Sequence, residues 1–268
     1  MSVNVPLKGV TITVDGLEEP MRAVTDQNGD FRLEPAPAGR FFVHIDGRTA
    51  TNTTPATRFP EGPYYPFVGK AWESIAGEEV NIGEIYLPLV TAGTLQPVNA
   101  LTPTIVTFPS AVLEQHPELS GLIVTVPPGS LFSDNGTRGG MVGIAPVPPD
   151  RLPSPLPLGL NLPLVITVQT DGPSNFDTPA PVCFPNLPDP DTGLPLPAGS
   201  ASALWSFNHD TGRFEIAGSM TVSADGRLVC TDPGVGIPAP GWGGTQPGCQ
   251  GNGGRPSSGG VASAGGTA

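Results

Sequence analysis

The sequence predicts an all-β fold: two β-sandwich-like domains in tandem, followed by a disordered Gly/Ser-rich C-terminal tail. Glycine (36) and proline (35) make up about a quarter of the 268 residues and divide the chain into short segments. Within those segments apolar and polar residues alternate with the period of a strand. Prolines are expected in loops and edge strands because they donate no backbone hydrogen bond. Only residues 109–119 predict helical turns, which Pro117 would end.

The clearest local pattern predicts a β-meander over residues 203–231. Loops at 208–212 and 223–226 each end in glycine, and such loops between alternating runs are the strongest short-range signal of a hairpin. A Gly-Trp-Gly-Gly motif (241–244) follows the meander. The four predicted strands lie at 203–207, 213–217, 219–222 and 227–231.

Composition shifts along the chain predict the domain boundaries. The first domain is expected at 1–90, a linker at 91–100, a second domain of seven or eight strands at 101–243 and a flexible tail at 244–268. Residues 48–78 are expected to form a long aromatic, Pro-rich loop. Strands of the first domain are predicted at 9–14, on both sides of a turn at 26–30, at 39–46 and at 79–87.

Three motifs in the first 50 residues carry a family resemblance. They are Pro-Leu-x-Gly-Val-x-Ile-x-Val (6–14), Thr-Asp-Gln-Asn-Gly-Asp-Phe (25–31) and Pro-Ala-Gly-Arg-Phe-Phe-Val-His-Ile (37–45). This block resembles the carboxypeptidase regulatory-like domain, a small transthyretin-like β-sandwich. The resemblance implies a non-catalytic spacer or folding module. Asn28-Gly29 suits the tight turn, which needs a positive φ.

The second block carries a different resemblance, on four motifs. It resembles the segment that precedes the YD-repeat shell of bacterial Rhs-type and teneurin-like surface proteins. That resemblance implies a non-catalytic structural or interaction module of a large secreted or surface-exposed bacterial protein, with the neighbouring domains of that protein as partners. No YD repeats follow here, so the activity of the whole protein is not carried over. The motifs are Val-Thr-Val-Pro-Pro-Gly-Ser-Leu (124–131), Ile-Ala-Pro-Val-Pro-Pro-Asp-Arg-Leu-Pro (144–153), Phe-Asp-x-Pro-Ala-Pro-Val-Cys-Phe-Pro-Asn (176–186) and Leu-Trp-Ser-Phe-Asn-His-Asp-Thr-Gly-Arg-Phe (204–214).

The net charge of the chain limits the classes of partner that we expect. The net charge is −12, and the 12 lysines and arginines form no cluster, which argues against nucleic acid and anionic membrane as partners. No run of 18 apolar residues predicts a membrane span. A secreted or cell-surface location is expected, with the export signal outside this chain. No cofactor is expected.

The three cysteines, Cys183, Cys230 and Cys249, do not have zinc-site spacing. Cys183 and Cys230 lie on predicted strands of one domain and could form a disulfide. The alternative is a pair of buried free thiols, which are common in protein cores. Cys249 lies in the predicted tail and is expected to be unpaired.

No catalytic or metal residues are predicted, although enzymatic activity is left open. The alternative is a small metal-dependent hydrolase that uses His209 and Asp210 with Glu215 or Asp225. A polar hairpin tip explains His209 and Asp210 equally well.

Acidic turns at 26–30 and 189–193 have oxygen ligands suited to calcium, but the first lacks the rest of an EF-hand pattern, and both suit solvated turns. His44 is expected to line a strand face.

A further alternative is an accessory carbohydrate- or protein-binding module that uses aromatic residues. The loop at 59–72 contains Tyr64, Tyr65 and Trp72, which could offer a flat platform or pack the two domains together. Trp242, between glycines, could contact a ligand or fill a gap beneath the sheet.

Overall fold

The structure, a computed structural model, describes residues 5–54, 56–133, 135–172 and 174–245, and it confirms the all-β class. The predicted helical segment is confirmed as α1 (Ser110–Gln115), followed by a 3₁₀ turn at Pro117–Leu119. Further 3₁₀ turns lie at Gly47–Thr49 and Pro149–Arg151. The strands are β1 (Thr11–Val14), β2 (Arg22–Val24), β3 (Gly39–Asp46), β4 (Phe67–Ser74), β5 (Gln96–Pro97), β6 (Thr104–Thr107), β7 (Ile123–Val126), β8 (Leu131–Ser133), β9 (Met141–Val147), β10 (Val165–Thr170), β11 (Ser174–Phe176), β12 (Val182–Pro185), β13 (Ala201–Asn208), β14 (Arg213–Val222), β15 (Leu228–Thr231) and β16 (Gly241–Thr245).

The first sheet has the antiparallel order β2-β1-β3-β4. The fourth strand is β4, within the segment predicted as a loop, and it pairs with β3 along its whole length. The strands predicted at 79–87 and directly after the 26–30 turn are wrong. Ile82 packs half-buried against the core without joining a ladder. The outer edge of β4 is already occupied, because Ala71 N–H donates to the carbonyl of His209 at 3.1 Å.

The second sheet has ten strands in the order β5-β9-β10-β16-β13-β14-β15-β12-β7-β6. It curls until its two edge strands meet: Gln96 Nε2 on β5 donates to the Thr107 carbonyl on β6 at 2.7 Å. The second block is therefore one curled sheet rather than a pair of facing sheets. Residues 91–100, predicted as a linker, include β5, which pairs with β9 and is part of this sheet. A small sheet of β8 and β11 stands apart from it.

The inside of the curl is an apolar core supplied by strands from all around the sheet. Its members alternate with outward-facing residues, as the pleat requires. Each fully buried aliphatic or aromatic side chain contributes about 1.5–3 kcal/mol relative to exposure. Burial of this inner face therefore drives the sheet to close on itself. Buried members include Val106, Val124, Ile144, Ile166, Phe184, Leu204, Met220 and Val229.

A second core lies between the two sheets. Val165, Phe207 and Trp242 project from the outer face of the curled sheet, and Ile12 and Ile45 are among the residues of the first sheet that meet them. Strands β10 and β16 are consequently buried on both faces. The predicted boundary between the domains does not separate two cores, since one core belongs to both blocks.

The cysteine pair cross-links two neighbouring strands of the curled sheet. Cys183 on β12 and Cys230 on β15 are directly opposite in the antiparallel register and are joined by a disulfide. Cys249 and the tail beyond Thr245 lie outside the described residues. The bridge links segments separated by 47 residues, so it restricts the unfolded chain considerably.

Replacing both bridge cysteines, Cys183→Ser with Cys230→Ser, should lower the free energy of unfolding by about 4 kcal/mol, the chain-entropy value for a 47-residue loop. Urea unfolding followed by tryptophan fluorescence measures the change. Cys249→Ser, which leaves both bridge cysteines in place, is the control. Unfolding midpoints that agree between the double variant and the control would contradict the stabilising role of the bridge.

Candidate binding cleft

A cleft of about 500 Å³ opens where the edge of the first sheet meets the tip of the β13–β14 hairpin. One wall comes from β3 and β4, with Phe42, His44 and Phe67. The other comes from the curled sheet and its loops, with polar side chains such as Gln169 and Glu215. This volume falls in the usual range for small-molecule sites. The cleft lies on the seam between the two blocks, so its shape depends on how they pack.

Packed aromatic rings form the floor of the cleft. Phe207, His209 and Trp242 contact one another, with ring centroids 5.2–5.8 Å apart. Trp242 is only 2% exposed, and its Nε1 has no hydrogen-bond partner among the described residues. A ring this deeply buried packs rather than presents a surface. Trp242 therefore packs beneath the sheet, which is one of the two roles that the sequence allows it.

The glycines around Trp242 permit the close approach of backbones and rings. Gly241 has a φ of +152°, and a Cβ there would lie 2.5 Å from Nε2 of His209. A Cβ on Gly244 would lie 2.7 Å from the carbonyl oxygen of Leu164. Any larger residue at these positions would push β16 away from its neighbours β10 and β13. The Gly-Trp-Gly-Gly motif thus serves the packing of a strand that is buried on both faces.

His209 joins the two blocks through hydrogen bonds. Its Nδ1 lies 2.5 Å from the carbonyl oxygen of Gly69 on β4, and its Nε2 lies 3.2 Å from that of Pro240. Carbonyl oxygens only accept, so a ring nitrogen that carries a hydrogen donates to the carbonyl that it faces. Lys70 adds a further link by donating from Nζ to the Pro153 carbonyl at 2.8 Å, and burial lowers the pKa of this lysine.

The carboxylates near His209 are committed to local hydrogen bonds. Glu215 accepts from Thr211 Oγ1 at 2.6 Å and from Asn208 Nδ2 at 3.0 Å, and these bonds lower its pKa. Asp225, the other carboxylate considered for a hydrolase, lies in a separate turn and does not line the cleft. Hydrogen bonds from Ser223 and the Arg227 backbone lower its pKa. A general acid at neutral pH needs a raised carboxyl pKa, so neither group is prepared for that role.

The wall on the first sheet carries a strip of rings that sequence reasoning missed as a binding surface. Phe42, His44 and Phe67 are half-buried, with centroid distances of 5.5 Å and 5.1 Å along the strip. The Phe42 ring lies against Gly69, where a Cβ would come within 2.6 Å of it. The Arg48 guanidinium stacks on Phe67 at 5.1 Å. The signal for this strip was the alternation in β3, which turns Phe42 and His44 away from the core.

The predicted binding aromatics of the 59–72 loop lie elsewhere. Tyr64 and Trp72 are 1% and 8% exposed, and Tyr65 is half-buried against the shared core. Trp72 stacks on Phe31 at 5.9 Å. Burial raises the pKa of the Tyr64 hydroxyl above its usual value. Tyr64 packs with Val90 and Leu95 in a small separate cluster, whereas Tyr65 and Trp72 pack in the core shared by the two sheets. These rings therefore have packing roles, the second of the two alternatives for this loop.

One mixed cluster has the composition of a metal site. Ligand atoms of Asp15, Glu18 and His44 lie within 4.8 Å of one another, with Nε2 of His44 3.0 Å from Asp15. The other ring nitrogen, Nδ1, is buried and has no hydrogen-bond partner among the described residues. A metal-bound histidine usually donates that second N–H to an acceptor. A hydrogen bond from Nε2 of His44 to Asp15 accounts for the geometry without a metal.

The acidic turns considered for calcium use their carboxylates within the turn. Oδ1 of Asp26 accepts from the backbone N–H groups of Asn28 and Asp30 at 2.8 Å and 3.0 Å. Oδ1 of Asp189 accepts in the same way from residues 191 and 192. These bonds are those of solvated turns that cap their own backbone.

The substitution His209→Ala should destabilise the protein by about 2–4 kcal/mol, because it removes a hydrogen bond between the blocks and the packing of the ring against Phe207 and Trp242. Chemical denaturation measures the effect. His116, a half-exposed histidine that contacts only Glu118 in its own loop, offers the matched control, and His116→Ala should change stability by less than about 0.5 kcal/mol. Similar losses for the two variants would show that His209 does not link the blocks.

Comparison with known proteins leaves the family open. No family model matches the chain, and neither a curated protein nor a solved structure shows significant similarity to it. Among the described residues, no helix has the length and apolar character needed to cross a membrane.

Proposed function

We propose that this chain is a non-catalytic structural and interaction module of a larger secreted or surface-exposed bacterial protein, with the neighbouring domains of that protein as its partners. The observation that carries the proposal is the core shared between the two sheets. A shared core makes the two blocks one stiff unit, which suits a module that must hold other domains in fixed positions. The sequence resemblances to a carboxypeptidase regulatory-like domain and to the segment before a YD-repeat shell support the same role.

The disulfide supports the proposed location. Bridges such as Cys183–Cys230 form and persist mainly in oxidising environments, that is, in exported proteins. The acidic surface implied by the net charge of −12 is compatible with a well-solvated exterior.

The polar groups of the cleft support a non-catalytic role over a hydrolase. His209 lies with one ring nitrogen against the Gly69 carbonyl and the other against the Pro240 carbonyl, which suits a residue that links the two blocks. Glu215 is held ionised by two donors, which suits hydrogen-bond acceptance rather than proton delivery.

Fractionation of the source bacterium, followed by thiol alkylation and mass spectrometry, tests the proposal. We expect the chain in the exported fraction as part of a longer polypeptide, with the peptides of Cys183 and Cys230 still linked. Recovery from the cytoplasm with both thiols alkylated would contradict the proposed location.

The same material tests the non-catalytic role. Purified wild-type protein and Glu215→Gln should both be inactive towards ester, peptide and glycoside substrates. Turnover by the wild type that disappears in a folded Glu215→Gln variant would overturn the structural role in favour of a hydrolase.

A further inference from the structure

We infer that the cleft on the seam binds a neutral carbohydrate chain, with sugar faces against Phe42 and Phe67 and hydroxyl groups on the polar side chains of the opposite wall. This goes beyond the structural role proposed above and does not depend on it.

Charge restricts the class of ligand. Apart from the histidines, the charged side chains that line the cleft are Asp210 and Glu215. The neighbouring Arg48 guanidinium lies over Phe67, but it is paired with Asp46 at 2.7 Å. An anionic ligand would meet two carboxylates in a chain of net charge −12 and would be repelled. Glu215 already accepts from Thr211 and Asn208, and each carboxylate oxygen keeps a further lone pair that can accept from a hydroxyl group. A neutral ligand rich in hydroxyl donors therefore fits.

The ring strip supplies the apolar half of the site. Phe42, His44 and Phe67 follow one another across β3 and β4 on one face of the sheet. Phe42 meets His44 edge to face, with 70° between the ring planes, and His44 and Phe67 lie nearly parallel at 25°. The strip is therefore stepped, and it forms one open wall of the cleft rather than a closed cage. Such a surface suits the C–H face of a pyranose ring, whereas a compact quaternary ammonium group is normally surrounded by several rings.

The opposite wall supplies fixed polar groups. Gln169 is 6% exposed, and its Nε2 donates to Thr167 Oγ1 at 2.5 Å, which fixes the direction of the amide. Ser206 is 8% exposed, and Asn175 lies exposed at the rim. Buried polar side chains held in place beside an aromatic strip are the usual composition of a small-molecule site, in which a few polar groups orient the ligand.

Isothermal titration of the full chain with cellohexaose, maltoheptaose, chitohexaose and xylohexaose tests the inference. We expect measurable binding to at least one of these oligosaccharides. Phe67→Ala and Phe42→Ala should each weaken that binding about tenfold or more, because each removes a ring contact. Phe31→Ala is the matched control: Phe31 is also a half-buried phenylalanine in contact with another aromatic ring, Trp72, but it does not line the cleft.

Folding of each variant is checked by near-ultraviolet circular dichroism. Asn175→Ala, at an exposed rim position, keeps the test valid if a phenylalanine variant fails to fold, and it should weaken binding about threefold to tenfold. The inference would be overturned if folded wild-type protein binds none of the four oligosaccharides, if Phe31→Ala weakens binding as much as the cleft variants do, or if the cleft binds choline instead. Any of these results would leave the thiol and fractionation test of the structural role unaffected.

Discussion

The outer face of the curled sheet has to be covered, and the rest of the molecule is arranged around that constraint. Phe207, Phe214 and Trp242 project from β13, β14 and β16 on the side away from the inner core. If they were exposed to water, each side chain would lose about 1.5–3 kcal/mol of stabilising burial free energy. Together they would also form an exposed apolar patch. The first sheet covers them, and the hydrogen bonds between His209 and β4 fix its position. The cleft is the space that remains open at the rim of this contact.

Sequence patterns predicted the locally determined parts of the fold. The β13–β14–β15 meander was predicted because its turns are encoded in adjacent residues, and the short helix because Pro117 limits it. Strand β4 was missed because its pairing partner β3 and the hairpin that covers its edge lie far away in sequence. The curl of the large sheet was missed because it depends on an inner core assembled from strands along the whole second block, although the hydrogen bond between its edges joins Gln96 and Thr107, which are only 11 residues apart.

The site was predicted less well than the fold, because a large aromatic residue suggests a binding surface in the sequence even where it fills the core. Tyr64, Trp72 and Trp242 are conspicuous in sequence, but their size suits them to filling space, and all three are buried. The rings that do line the cleft, Phe42 and Phe67, could have been found by assigning faces to β3 and β4. The role of His209 was beyond sequence reasoning, because one of its acceptors, Gly69, lies 140 residues away. The position of His209 at a hairpin tip was predicted, whereas its hydrogen-bond acceptor on β4, the Gly69 carbonyl, was not.

The claim that the two blocks share one core is tested most directly by differential scanning calorimetry of the full chain with its disulfide intact. A shared core predicts one transition, with calorimetric and van't Hoff enthalpies that agree, because neither block keeps its packing once the other is lost. Two separate transitions, with residues 1–90 unfolding independently of the curled sheet, would contradict the account.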